Sequence, residues 1–263
     1  MKMKFIFLIL TISLSVCVMG IGESKTRVLI VDGYGNHDWR SLFDGHSLDG
    51  WSVHCLPADK DKRFWFAKDG YIECNSIGHG DHDYIWLIYD EEFDDFQLVL
   101  QFQIFKSSKG NSGVQFRSRF DDSESARKGG WLNGPQADIH PPNPLRAGLI
   151  YDETDGVNRW IYPSLPDYNM VAEKAPKPAH QTKLVYAEDD PDAWNSMEII
   201  CEGMHIETFV NGIRITDFDA EGILNDALHL EKNVGTTGKI ALHLHAHDEL
   251  LIRFKEIMIR EIE

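Results

Sequence analysis

Residues 97–104 read QLVLQFQI. Leu98, Leu100, Phe102 and Ile104 fall on every second position, the period of a pleated strand and not of a helix with 3.6 residues per turn. The same reading extends outward. Short apolar or alternating runs at 51–55, 64–67, 71–75 and 85–88 precede it, and runs at 114–119, 136–139, 148–151, 197–201, 205–210, 213–218, 239–245 and 251–262 follow, separated by turn-forming residues. Asn211-Gly212 between two such runs is a hairpin signal, because a type I′ turn needs positive φ at both central positions. Many short strands without long amphipathic helices predict an all-β sandwich of two antiparallel sheets and exclude a doubly wound α/β sheet. The stretch 163–192 has no apolar period, and it predicts a long excursion carrying a short helix and bordering a binding site.

With 263 residues the chain can bury one β-rich core. Its formal charge of −16 leaves no surplus of Lys and Arg for phosphate, so a nucleic-acid partner is not expected. Lys2 and Lys4 ahead of the apolar run 5–18 read as a secretory signal over residues 1–22, too short for a spanning helix. Leu14-Ser15-Val16-Cys17 is a poor lipidation site because Val16 is bulky, so a lipid anchor is less favoured than simple export. Residues 23–40 form a leader, and within it RVLIVDGYGNHDW (27–39) resembles the first strand and turn of the ThuA-like (trehalose utilisation) family, over too short a stretch to carry any function. The sandwich is expected over 41–263. After signal removal Cys55, Cys74 and Cys201 remain; Cys55 and Cys74 can pair only if their strands are neighbours, and three unpaired thiols are the alternative.

Alternation also sorts side chains by face. Gln115, Arg117 and Arg119 share one face of the strand in GNSGVQFRSR (110–119), Gln136 and Asp138 share one face of QADI, and His243 and His245 share one face of ALHLH. Any one strand of this kind is ordinarily a solvated sheet face. Together they offer Gln, Arg, Asp and His where solvated faces favour Lys, Glu and Thr, so they are candidates for one polar surface. A sugar site uses such planar groups together with aromatic rings; Trp131, Trp160 and Trp194 are candidate stacking residues, with core or rim packing the more ordinary role for any one of them, and Tyr151 with Glu153 lies at a strand end. His79 and His82 in GHGDHDY are read as a solvated loop, since Gly and Asp form turns and no third ligand is fixed by spacing.

Six blocks, SLFDGHSLDGW, GNSGVQFRSR, GPQADIHP, GLIYDE, WNSMEIICEGMHIETFVNG and GKIALHLHAHDELLIRFKEIMIREI, resemble in order and content the 3-keto-disaccharide hydrolase family, long known as DUF1080. The resemblance covers residues 41–263. It implies a concanavalin A-like jelly-roll sandwich in exported bacterial proteins, periplasmic or extracellular, that act on glycosides oxidised at C3. The chain departs from the pattern at His243, where Gln is commoner, and in the Pro-rich stretch after Ile139, which bears on substrate choice more than on fold.

A ketone at C3 acidifies the C2 proton, so a base removes it, the C1 substituent leaves, and water adds to the enone. On this reading Asp138 or His245 is the base, Glu153 a second acid, and Arg117 the electrophile facing the enolate. A divalent metal held by Asp138, Glu153 and His245 is a second way to supply that electrophile, and no organic cofactor is expected. Gln115, Arg117, Gln136, Tyr151, Trp194 and His243 are the candidate substrate contacts. Two other functions compete. A conventional retaining glucanase needs a pair of carboxylates about 5 Å apart, and Asp138 has only Gln136 beside it on its strand; a carbohydrate-binding module would use the same face without a base in reach.

Overall fold

The structure, a computed structural model, describes residues 38–108, 110–140, 146–161 and 182–262. The expected signal at 1–22, nearly all of the leader, the Pro-rich stretch 141–145 and most of the 163–192 excursion lie outside the described residues. Two sheets, every strand pair antiparallel, face each other. The first runs β14 (Ile213–Asp219), β13 (His205–Val210), β12 (Asn195–Glu202), β6 (Phe96–Ile104), β16 (Leu251–Glu261), β4 (Tyr71–Asn75), β3 (Trp65–Lys68), with β1 (Arg40–Ser41) beside β16. The second runs β11 (Arg159–Trp160), β10 (Ile150–Asp152), β9 (Pro135–Ile139), β7 (Ser112–Asp121), β15 (Gly238–Leu244), β5 (Ile85–Phe93), β2 (Trp51–Cys55), with β8 (Trp131–Asn133) beside β7.

The alternating strand 97–104 becomes the centre of the first sheet. Leu98, Leu100, Phe102 and Ile104 point into the core between the sheets. Its glutamines are buried as well, because neighbouring strands and the loop before β12 satisfy them: Gln97 donates to Glu198, Gln101 to Glu256, and Gln103 to the carbonyls of Pro191 and Ala193 at 2.9 and 3.1 Å. The Asn211-Gly212 hairpin forms with φ of 51° and 74°, joining β13 to β14.

Four features depart from the sequence expectations. Cys55 lies on β2 and Cys74 on β4, in different sheets, so they do not pair; all three described cysteines are free thiols, and Cys55 is only half-buried. Strands β8 and β11 were not expected, being three and two residues long and without a period. A short helix, α1 (Ala227–Lys232), was not expected, whereas the helix expected within 163–192 falls largely outside the described residues; α1 is begun by Asp226, whose carboxylate accepts from the backbone of Leu228 and His229 at 3.0 and 3.1 Å. His82 is buried, its ring nitrogens 2.7 and 3.0 Å from the carbonyls of Asp83 and Asp248. Among the described residues no helix is long and apolar enough to cross a membrane.

Candidate functional site

The second sheet buries Ile85, Leu87, Val114, Ala137, Ile240, Leu242 and Leu244 against the core, so the residues between them must face outward. That outer face carries a second apolar cluster of Trp86, Ile88, Trp131, Leu132 and Ala241, with Tyr84 and Phe120 packed against it. Beside the cluster opens a cleft of about 300 Å³, lined by Tyr84, Asn111, Arg127, Gln136, Asp138, Arg146, Tyr151, Glu153, Asn158, Trp160 and His245.

Asp138, Glu153 and His245 therefore meet, as the sequence suggested, although they belong to three different segments. Asp138 comes from β9; Glu153 follows β10, its position set by its own N–H to the Gly134 carbonyl at 3.0 Å and by the Trp131 indole N–H to its carbonyl at 2.6 Å. His245 follows β15. Burial pushes the Asp138 carboxyl up to about 7, with Arg146 and His245 holding it from going higher. Burial does the same to Glu153, also to about 7, against the lowering charges of His245 and Arg127, while Asp138 and Asp152 add to the rise. For His245 burial alone would lower the pKa, but the contact with Asp248 and the charge of Glu153 outweigh it and hold the ring above its usual range. The ring is oriented at both nitrogens: Nε2 lies 3.1 Å from the Tyr84 hydroxyl, and Nδ1 lies 3.1 Å from the Ala246 carbonyl and 3.5 Å from Asp248.

The cleft and the layer just beneath it hold buried polar atoms without hydrogen-bond partners. Both oxygens of Asp138, Gln136 Oε1, Gln115 Oε1, Arg146 Nε and both nitrogens of His243 are unsatisfied. A protein of this size tolerates few such groups, so their concentration at one place marks a surface built to be completed by a polar ligand or by water. Gln136 lies across β7 at Gly113, where any side chain would collide with it: a Cβ there would meet Gln136 at 2.4 Å.

Other expected contacts are placed differently. Gln115 and His243 lie beneath the cleft surface: Gln115 donates to the Leu132 carbonyl at 3.2 Å, and the His243 ring stacks with Tyr84 and Trp86 at centroid distances of 5.3 and 5.9 Å. Burial, then the charge of His245, pushes His243 well below its usual pKa, so it stays neutral. Arg117 is not in the cleft. Gln115 pairs with Ala241 and Ser118 with Lys239, so Phe116 and Arg117 stand opposite Ile240 alone; this bulge, with Arg117 at φ 45°, sends its side chain away from the face of Gln115. Its guanidinium donates to the carbonyls of Asp94 and Gly203, both at 2.7 Å, and to Asp95 at 2.8 Å, tying together turns of the two sheets. Arg119 pairs with Glu92. Trp194 lies just before β12, against the other sheet, beside Tyr71 and under the Lys255 ammonium at 4.1 Å.

The cations that do line the cleft are Arg127 and Arg146, which the sequence did not single out. Both come from turns, where no period assigns a face. Tyr84 had a signal: it continues the Trp86/Ile88 alternation one step before β5. Asp138, Glu153 and His245 share the cleft without forming a metal cradle, and among the described residues no three His, Cys, Asp or Glu side chains are placed to hold one ion. Arg146 occupies the side of Asp138, 3.2 Å away, that a cation would need. The residues thus do not fit the expected metal site.

A jelly-roll sandwich of the concanavalin A-like kind, with a polar, ionisable cleft on one sheet, is an architecture of carbohydrate-active proteins. Residues 38–260 match the model of the 3-keto-alpha-glucoside-1,2-lyase-like domain, and the chain belongs to that family. No curated protein matches it. Among solved structures, a Parabacteroides distasonis protein described as a "putative glycosyl hydrolase" aligns with a TM-score of 0.51 at 16% identity, over 86% of this chain and 94% of that one. A carbohydrate-binding module from Bacillus subtilis aligns with a TM-score of 0.46 at 11% identity, over 81% and 96%.

Proposed function

We propose that this protein, exported on the strength of its N-terminal signal, cleaves glycosides already oxidised to the ketone at C3. The observation that carries the reading is the pair Asp138 and Glu153, in one cleft and both poised near neutral pH. Two such carboxyls in one cleft supply a base and an acid at the same pH.

The chemistry assigns an order along the cleft. C2 and C3 are adjacent, so the base that takes the C2 proton and the electrophile that receives the enolate charge must be neighbours. Asp138 and Arg146 are that pair at 3.2 Å. Asp138 accepts the C2 proton, and the electrons of the C2–H bond form the enolate, whose C3 oxygen faces Arg146. As the enolate collapses, the bond from C1 to the aglycone oxygen breaks, C1=C2 forms, and Glu153 protonates the leaving oxygen. Water then adds at C1 as Glu153 accepts its proton and Asp138 returns a proton to C2, giving the free 3-keto sugar. His245, fixed by Tyr84 and Asp248, sets its charge beside Glu153. No step requires the two closely spaced carboxylates of a retaining glycosidase.

The test is incubation of the pure protein with 3-keto-trehalose and with a 3-keto-β-glucoside, with and without a chelator. Release of the 3-keto sugar without cleavage of the unoxidised parent supports the reading. Binding without release would reduce the protein to a sugar-binding module, and cleavage of the parent glycoside would make it a conventional glycosidase.

A further inference from the structure

The two ends of the cleft are told apart by their cations. Arg146 belongs to the Asp138 end, whereas the charge of Arg127 bears on Glu153, Tyr84 and Tyr151. If C2 and C3 lie against Asp138 and Arg146, which is the reading given above and the one this inference rests on, the C1 substituent runs toward Glu153 and Arg127.

Arg127 differs from the arginines around it. Arg40, Arg119 and Arg253 near the surface, and Arg117 and Arg146 inside, each touch a carboxylate. Among the described residues Arg127 touches none. Its guanidinium lies over the Trp131 ring, 3.8 Å from the centroid, and one N–H donates to Asn158 Oδ1 at 3.0 Å. The stack fixes the plane and the hydrogen bond fixes its rotation. A guanidinium has five N–H donors and one is used here, so a planar fork remains. Asn158 must turn its oxygen toward Arg127, which only donates, and so its amino group is left as a further donor on the same side of the cleft. The Tyr151 and Trp160 rings, edge to face at 5.0 Å, line the same cleft with apolar surface. In a chain with 42 acidic and 26 basic residues, an arginine held rigid in a cleft beside neutral partners is a binding group for an anion.

We propose that the leaving-group side of the cleft takes aglycones that carry a carboxylate, held by the fork of Arg127 and the amide of Asn158. A flat acid such as a hydroxybenzoate has the matching shape, a bidentate anion at one end of an apolar plate.

A matched pair of substrates tests this: the 3-keto-glucosides of 4-hydroxybenzoate and of 4-hydroxybenzamide. The amide is the better leaving group, so intrinsic reactivity works against the expected preference. The expected kcat/KM ratio favours the carboxylate by roughly tenfold or more in the wild type and shrinks as salt is raised. The ratio should fall to one or below in Arg127→Gln and to an intermediate value in Arg127→Lys, which keeps the charge but loses the fork. A wild-type ratio near one, or a preference that survives Arg127→Gln in a variant with a normal melting curve, overturns the inference. If neither compound is cleaved, calorimetric affinities for the two read the same ratio: an Arg127-dependent carboxylate preference upholds this site while discarding the reaction, and equal affinities discard the site too.

Discussion

Arg146 Nε stands 3.2 Å from Asp138 Oδ2, with both side chains almost wholly out of water. Neither Asp138 oxygen nor Arg146 Nε has a well-aimed hydrogen bond, so the pair has the attraction of opposite charges without the geometry that usually compensates burial. That combination explains how a carboxyl beside an arginine still titrates near neutral pH. Attraction favours the charged form, desolvation opposes it, and desolvation is the larger effect.

Replacing Asp138 with Asn keeps the shape and removes the base. Turnover of a 3-keto-glycoside should fall by about 10²- to 10⁴-fold, the range for loss of general-base catalysis, with KM changed far less. Arg146→Gln removes a charge that lowers the Asp138 pKa, so the acid limb of the kcat/KM profile should move to higher pH. A limb that stays in place would separate Asp138 from the rate-determining proton transfer.

The same carboxyls make stability depend on pH. Each has a folded pKa of about 7, above the usual carboxylate value it takes when unfolded. The folded state therefore holds more protons between about pH 4 and 7, and the stability contributed is full at low pH and lost as pH rises through about 7. Glu153→Gln removes the burial cost of the charged form. Its melting temperature should exceed the wild type by a few degrees at pH 8 and show little gain at pH 5. Equal gains at both values would mean that Glu153 is not the group responsible.

Arg117 should behave as a structural residue. Arg117→Met leaves the Asp94 and Gly203 carbonyls and the Asp95 carboxylate without their donor, a loss of about 3 kcal/mol or more for breaking a buried charged cluster. Urea unfolding would measure it. The fraction that remains folded should bind substrate as the wild type does; a selective loss of affinity in a normally stable protein would return Arg117 to the site.

Gly113 tests the packing of the cleft floor. In Gly113→Ala the new methyl meets the Gln136 side chain, which must swing into the cleft or push the strand aside. Activity should fall at least tenfold, while the Gly113→Ala/Gln136→Ala double variant recovers the melting temperature lost by the single one, measured as a double-mutant cycle.

Much of this protein is legible in its sequence because a strand has a period of two. That period places Leu98 and its alternate neighbours in the core, puts Gln136 and Asp138 on one face, and sets His245 on the same face as His243. The turn chemistry of Asn211-Gly212 is equally local, since positive φ at both positions depends on those two residues. The meeting of Asp138, Glu153 and His245 follows once their strands share a sheet, and the family resemblance supplied that step.

The same rule fails at Arg117. One extra residue in β7 reverses every face assignment beyond it, and nothing within GNSGVQFRSR marks the bulge, because the residue opposite it is Ile240 on a strand far along the chain. For the same reason the sequence could not choose Arg127 and Arg146 over Arg117 as the cations of the site: turn residues have no periodic face, and where they point is set by what packs against them. The sequence by itself determined the sheets, the core and the chemical character of one outer face. Only the tertiary structure decided which charges reach the cleft, how deeply Asp138 and Glu153 are buried, and therefore at what pH they exchange protons, because desolvation depends on contacts between segments that the chain order keeps apart.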